Sequence, residues 1–345
     1  MKALMLKAYG QLEVQDVPPP GVGPRDVLVR VMACGICGSD VHGMDGSTGR
    51  RIPPIVMGHE AAGLVERVGA HVTSFAAGDR VTFDSTIYNP ESFFSRRGLV
   101  NLCDDRRVLG VSCEDYRQDG AFAELVAVPS HILYSLPPGM TFEQAAMVEP
   151  VSIAVHARNL TPIEGGDTAL VFGTGLIGLM MVQVLRQTAV ARIVAVDVDD
   201  GRLALAAELG ADHVLNSATT DVAAAVRALT EGRGADVAFE AVGLEATVRA
   251  AVLAVRKGGS VTLIGNLAKD VSLPLQAVVT RQIRLQGSCA SNGEYPECLE
   301  LIASGKVNVD RFISAIAPLE EGPRWFDRLH RREPGLLKVL LKPNP

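Results

Sequence analysis

Two short segments hold the side chains with the most chemistry in them: Cys34-Gly35-Ile36-Cys37-Gly38-Ser39-Asp40-Val41-His42 and Gly58-His59-Glu60. Thiolate, imidazole and carboxylate are the groups zinc takes, and a zinc site that performs a reaction keeps one coordination position open for water or substrate. Cys34 and Cys37 also make a C-x-x-C pair. A third segment, Gly173-Thr174-Gly175-Leu176-Ile177-Gly178, has the spacing G-x-G-x-x-G. It follows the apolar run Ala169 to Phe172 and opens a helical pattern. Its glycines can therefore make a tight turn, admit a pyrophosphate against the backbone and let helix pack on strand. The N-terminus of that helix then faces the phosphates.

Asp197 lies at the end of the next strand-like run, 19 residues after Gly178. It is placed to accept hydrogen bonds from the adenosine ribose hydroxyls. A 2'-phosphate there would meet a carboxylate, and Asp199 and Asp200 add to the repulsion. NAD is therefore expected over NADP, with Arg202 as the cation that could favour the phosphate.

These groups must be positioned by a chain of 345 residues, longer than one typical domain. Residues 1–150 read as short β segments between Gly and Pro turns, among them Val27 to Val31, Arg80 to Phe83 and Phe122 to Val128, which predicts a barrel-like domain. Thr141-Phe142-Glu143-Gln144 has capping-box spacing and announces a helix. From Ala169 strands and helices alternate, with strands at Ala169 to Phe172, Ile193 to Val196, His213 to Leu215, Val237 to Glu240 and Val261 to Ile264. That alternation predicts a doubly wound parallel sheet over 151–289. A helix from Glu294 to Ala303 and a strand from Leu337 to Leu341 follow in 290–345. The fold class is α/β.

The order of motifs resembles the zinc-dependent medium-chain dehydrogenase/reductase family over essentially the whole chain. The residues that carry the resemblance are C-G-I-C-G-S-D-V-H from Cys34, Gly58-His59-Glu60, Gly78-Asp79-Arg80-Val81, Asp119-Gly120-Ala121-Phe122-Ala123-Glu124, Val148-Glu149-Pro150 and the glycine fingerprint. The polyol branch, with sorbitol, L-iditol and galactitol-phosphate dehydrogenases, is the most similar. The resemblance implies a GroES-like catalytic domain, completed by the C-terminal segment, around a Rossmann domain. It implies a catalytic zinc held by Cys37, His59 and Glu60, with Glu149 as a fourth ligand or as partner of the zinc-held water. Cys34 is assigned to the barrel interior. By the same likeness Asp40 orients His59, while Ser39 takes the substrate's hydroxyl proton and passes it through the cofactor ribose toward His42. The implied reaction is NAD-linked oxidation of a secondary hydroxyl of a polyol or sugar-like substrate. L-threonine dehydrogenase-like oxidation of an amino alcohol and a cofactor-binding protein without catalysis are the alternatives.

The chain departs from the family pattern in two places. Where sorbitol dehydrogenases carry a tyrosine and an Arg-Tyr pair that binds polyol hydroxyls, this sequence has Gly43, Ala290 and Ser291, so sorbitol itself is not the expected substrate. Arg50, Arg51, Arg96 or Arg97 could meet an anionic substrate or face solvent. The four-cysteine frame that holds a second, structural zinc in many relatives reads here Asn89, Ser92, Ser95 and Cys103, and one thiolate cannot hold the ion. One zinc per subunit is therefore expected.

Composition narrows the remaining classes. A formal charge of -6 and a pI near 5.7 leave no basic footprint for nucleic acid or an anionic membrane. Thr168 to Leu185 is nearly long enough for a membrane span, but Gly173, Gly175 and Gly178 interrupt it, and strand, turn and buried helix explain the letters better. The first residues lack a secretion signal. Six scattered cysteines suit thiol or metal chemistry better than a disulfide framework. The expectation is a cytoplasmic enzyme, homo-oligomeric like its family.

Overall fold

Val27, Val29 and Val31 of the strand Asp26–Gly35 are buried beside exposed Arg30, the alternation of a sheet with one covered face. Toward Ala33, Cys34 and Gly35 burial becomes continuous. The strand is flanked there on both sides, pairing antiparallel with Glu60–Val68 and with Lys338–Lys342. The computed structural model describes residues 1–344. They form two compact units, residues 1–149 with 291–344, and residues 150–290.

In the first unit the main sheet runs Leu133–Ser135, Arg80–Phe83, Glu60–Val68, Asp26–Gly35, Lys338–Lys342, Ile313–Pro318, and Leu125–Pro129 also pairs with Asp26–Gly35. Gly35 stands opposite Glu60 on one side and Leu340 on the other. The strand Asp26–Gly35 thus separates Glu60 from the C-terminal strand by one sheet position. Leu4, Leu6, Val29, Phe83, Phe122 and Phe326 fill the core, Phe122 meeting Phe326 edge-on with ring centroids 5.7 Å apart. The expected strand from Phe122 to Val128 is shorter. Phe122 donates its N–H to Met57 and accepts from Leu4, so its backbone is spent on two other segments, and a regular ladder begins only at Leu125. Thr141 and Gln144 form the reciprocal cap, with N–H to side-chain oxygen distances of 3.1 and 3.2 Å, at the head of the helix Phe142–Ala146.

The second unit is a six-stranded parallel sheet in the order His213–Asn216, Arg192–Asp197, Thr168–Phe172, Ala235–Glu240, Val255–Leu263, Arg284–Gly287. Every residue of the central strand Thr168–Phe172 is buried, as in a parallel sheet covered on both faces. Four of these strands lie within two residues of where the alternation put them, and the fifth, expected at Val261 to Ile264, begins earlier, at Val255. The sixth, Arg284–Gly287, is short and polar and sits at the sheet edge, where backbone pairing with Val255–Leu263 defines it. Thr168 to Leu185 is strand, turn and helix, and no helix among the described residues is long and apolar enough to cross a membrane.

Candidate active site

Cys37 caps the helix Gly38–Met44: its sulfur accepts from the Ser39 N–H at 3.4 Å, while the Asp40 carboxylate accepts from the Cys37 N–H at 3.2 Å. The thiol is thereby fixed at the head of the helix, two residues beyond a buried strand. His59 is placed by a turn that only glycine permits. Gly58 has φ +96°, and a Cβ there would come within 2.8 Å of the Phe122 nitrogen and 2.9 Å of the Cys34 sulfur. The motif Asp119-Gly120-Ala121-Phe122 holds this turn: the N–H groups of Gly120, Ala121 and Phe122 donate to the carbonyls of Val56, Gly58 and Met57, and the Asp119 carboxylate accepts from Val56. Glu60 then opens the next strand.

The three side chains converge. One potential ligand atom from each of Cys37, His59 and Glu60 lies within 4.8 Å of the others, and this is the one cluster of three such groups found among the described residues. Donor atoms each about 2.0–2.3 Å from a shared zinc ion stand at most about 4.6 Å apart, so the set fits such an ion after small adjustments. Nδ1 of His59 faces Asp40 Oδ1 at 3.4 Å, which leaves Nε2 for other partners. Cys34 is wholly buried, and burial raises its thiol well above the ordinary value, as befits the barrel interior.

Two buried cations flank the cluster. Lys338 Nζ lies 2.5 Å from Glu60 Oε2 and donates to the Ile36 carbonyl at 3.0 Å, with both ion-pair side chains 1% exposed. Burial opposes the charge on Lys338, but Glu60 and Cys37 outweigh it and hold the amine above its ordinary value. Arg51 reaches Asp40 Oδ1 with Nε at 3.3 Å and Nη2 at 3.0 Å. Burial alone would raise the Asp40 carboxyl, and His59 and Arg51 instead hold it well below the usual range. Burial likewise disfavours a charged His59, but Asp40 and then Cys37 prevail, and the imidazole is held well above its usual value. Arg51 is therefore neither a solvent-facing cation nor a free anion receptor: its charge is matched inside the protein.

Glu149 lies outside the three-donor cluster. It is buried, its Oε1 accepts from Ser85 Oγ at 3.3 Å, and burial pushes its carboxyl up to about 7, against the pull of His59 and with the push of Glu60 and Asp84. Ser39 is exposed and accepts a hydrogen bond from Arg51 at 3.3 Å. The half-buried His42 ring makes no hydrogen bond to another side chain among the described residues. Ser291 is buried and donates to Asp84, whose carboxyl burial pushes up to about 6 against the bonds from Thr86 and Ser291. Arg50, Arg96 and Arg97 are all exposed, and Arg97 stacks on Phe93, 3.5 Å from the ring centroid.

In the second unit Gly175 precedes the helix Leu176–Leu185, with Leu176 and Ile177 partly exposed at its start. Gly178 packs so tightly that a Cβ would lie 1.8 Å from the Gly173 carbonyl oxygen. The Asp197 carboxylate, expected to meet the ribose hydroxyls, also accepts four protein donors: Thr174 N–H at 2.6 Å, Thr174 Oγ1 at 2.9 Å, Val198 N–H at 2.7 Å and Asp199 N–H at 3.1 Å. Asp197 thus braces the glycine turn itself. Arg202 is exposed, its backbone N–H donating to Asp199.

Asn89, Ser92, Ser95 and Cys103 also come together: the Cys103 sulfur accepts from the Asn89 N–H at 3.4 Å, and Ser92 Oγ donates to Ser95 Oγ at 2.8 Å. Burial would raise the Cys103 thiol, but bonds from Ser92, Asn89 and Ser95 lower it.

Residues 23–138 match the family model of the alcohol dehydrogenase GroES-like domain, and residues 177–304 that of zinc-binding dehydrogenases. L-idonate 5-dehydrogenase of Vitis vinifera is 36% identical over 90% of this chain and 86% of its own. Sorbitol dehydrogenase of Bacillus subtilis (strain 168) is 30% identical over 100% and 98%. A solved structure described as a zinc-binding dehydrogenase of Sinorhizobium meliloti 1021, bound to NADP, is 31% identical and superposes with a TM-score of 0.89 over 99% of both chains. The chain belongs to the zinc-binding alcohol dehydrogenase family, with the medium-chain fold of a GroES-like domain and a Rossmann sheet. It is an oxidoreductase acting on CH–OH groups.

Proposed function

We propose that the protein oxidises a secondary hydroxyl of a polyol or sugar-like substrate to a ketone, with NAD as hydride acceptor, at one zinc held by Cys37, His59 and Glu60. The observation that carries this reading is the three-donor cluster, with Nδ1 of its imidazole turned to a buried carboxylate. The names of the relatives, L-idonate 5-dehydrogenase and sorbitol dehydrogenase, support the substrate class. Bound zinc supplies Lewis acidity toward the hydroxyl, and bound NAD accepts the hydride. Ser39 receives the hydroxyl proton and gives up its own toward His42 by way of the cofactor ribose. Glu149 serves as a fourth ligand or holds a water beside the metal. Turnover of a panel of polyols by zinc-replete protein tests the reading.

NAD over NADP rests on Asp197, supported by Asp199 and Asp200. Asp197→Ala removes a carboxylate that also braces the turn through Thr174, so its effect is expected to exceed that of a lost ribose contact alone. Charge-assisted hydrogen bonds of this kind are worth about 1.5–3 kcal/mol. The KM for NAD should rise roughly 10- to 100-fold, and the KM for NADP by less. A wild-type enzyme with the higher kcat/KM for NADP contradicts the assignment.

The converged Asn89, Ser92, Ser95 and Cys103 support a lobe fixed by its own hydrogen bonds, with no second zinc. A homo-oligomer is supported by the sheet edge Arg284–Gly287 and by Leu275 and Val279, 66% and 68% exposed. Sedimentation at micromolar concentration should give a multiple of the 36.5 kDa chain, and a monomer contradicts it.

A further inference from the structure

We propose that Arg51 is a positioning residue for proton transfer at Ser39, and that it is seated there because position 43 is glycine. The inference rests on the reading of Ser39 as acceptor of the substrate's hydroxyl proton. Arg51 is 4% exposed, and each nitrogen of its guanidinium has a partner: Nε and Nη2 on Asp40, Nη1 on the Arg50 carbonyl at 3.0 Å, and Nη2 also on Ser39 Oγ at 3.3 Å. Asp40 is wholly buried. One carboxylate therefore ties this cation to both sides of the metal-binding cluster, since Asp40 faces His59 through Oδ1 and accepts the Cys37 N–H through Oδ2.

The consequence for Ser39 follows from its hydrogen-bonding capacity. A hydroxyl has two lone pairs and one hydrogen. A guanidinium has no acceptor and stays protonated, so Arg51 always donates to Ser39 and never receives from it. With one lone pair taken, a single lone pair and the O–H remain. Ser39 is then confined to taking one proton in and sending one out: the substrate O–H proton binds the free lone pair as the original Ser39 proton departs. The serine is unchanged overall, while the substrate carbon gives its hydride, with two electrons, to NAD. The adjacent positive charge stabilises the oxygen while its proton leaves.

Gly43 makes this seat available. A Cβ on residue 43 would lie 2.2 Å from Arg51 Cγ, 3.1 Å from its Cβ and 3.4 Å from its Cδ, so any larger residue displaces the arginine stem. Residues 43 and 51 therefore form a single unit.

The test combines Arg51→Met, Arg51→Lys, Gly43→Ala, Arg51→Ala and the double variant Gly43→Ala/Arg51→Ala. Arg51→Met should retain zinc by mass spectrometry and bind NADH as wild type does. Its kcat should fall roughly 10- to 100-fold, the value of one charged hydrogen bond, with little change in KM and a larger solvent deuterium isotope effect. Arg51→Lys should restore part of the loss. Wild-type kcat and isotope effect in Arg51→Met, or loss of zinc in step with activity, overturn the proposal. The seat is read without turnover. Gly43→Ala should lower the melting temperature of the wild-type chain but not of Arg51→Ala, and a crystal structure of Arg51→Met should show Ser39 in more than one rotamer. Should the wild type oxidise no polyol, the proposed function fails on its own. Additive melting effects, or a single unchanged Ser39 rotamer, then still overturn the positioning claim.

Discussion

Cys37→Ala should leave a folded protein that binds NADH and has lost both its zinc and its turnover. The thiol does two things in the structure, capping the helix Gly38–Met44 and pointing at His59 and Glu60, and the two can be separated. Cys37→Ser keeps an acceptor for the Ser39 N–H but offers a hydroxyl, a poor substitute for thiolate as a zinc ligand. Both variants should therefore lose metal and activity. The alanine variant alone should lose about 1 kcal/mol of stability from the cap. Wild-type protein should carry about one zinc per chain, since a structural site needs four suitable ligands and the lobe retains only Cys103. Two zinc ions per chain, with one retained in Cys37→Ala, contradict this picture. Turnover persisting in zinc-free Cys37→Ser contradicts the role given to the cluster as a whole.

The second large effect concerns stability. Lys338→Met leaves the Glu60 carboxylate at 1% exposure without its cation and should cost about 3–5 kcal/mol in metal-free protein, the usual penalty for halving a buried ion pair. Lys338→Met/Glu60→Gln should recover much of that loss, because no charge is then left unmatched. Added zinc should stabilise Lys338→Met more than wild type, since the ion supplies the missing positive charge and no longer competes with the lysine for Glu60. Urea denaturation with and without zinc reads all three results. An unfolding midpoint in Lys338→Met equal to that of wild type, without metal, shows that the pair carries no such weight.

Much of this site can be read from local patterns, and the parts that cannot share a physical cause. Cys37, His59 and Glu60 sit in short motifs whose backbone demands are local: a helix cap at 37 and a glycine turn at 58. Most of the parallel strands contain apolar runs, and four of the six lie within two residues of where the alternation places them. Arg284–Gly287 has no such run, and only its neighbour makes it a strand. Arg51 and Lys338 are harder still. Arg51 stands in the polar stretch Gly49-Arg50-Arg51, which looks like a solvated loop, and its burial depends on Asp40 and on the missing side chain at Gly43. Lys338 meets Glu60 across 278 residues of sequence, a separation at which periodicity has nothing to say. Its one local signal is a lysine set among Leu336, Leu337, Val339, Leu340 and Leu341. Asp197 teaches the reverse lesson. Its motif position is plain in the sequence, but its bonds to Thr174, Val198 and Asp199, which make it part of the turn's own frame, are not.

The most direct test of the proposed chemistry is the rate of NADH formation across a panel of polyols, sugar acids and polyol phosphates, measured before chelation, after verified zinc removal and after zinc is restored. The expected result is oxidation of at least one secondary polyol hydroxyl, lost with the metal and regained with it. An undiminished rate in zinc-free protein, or no oxidation of any member of the panel by the zinc-replete enzyme, is the result that contradicts it.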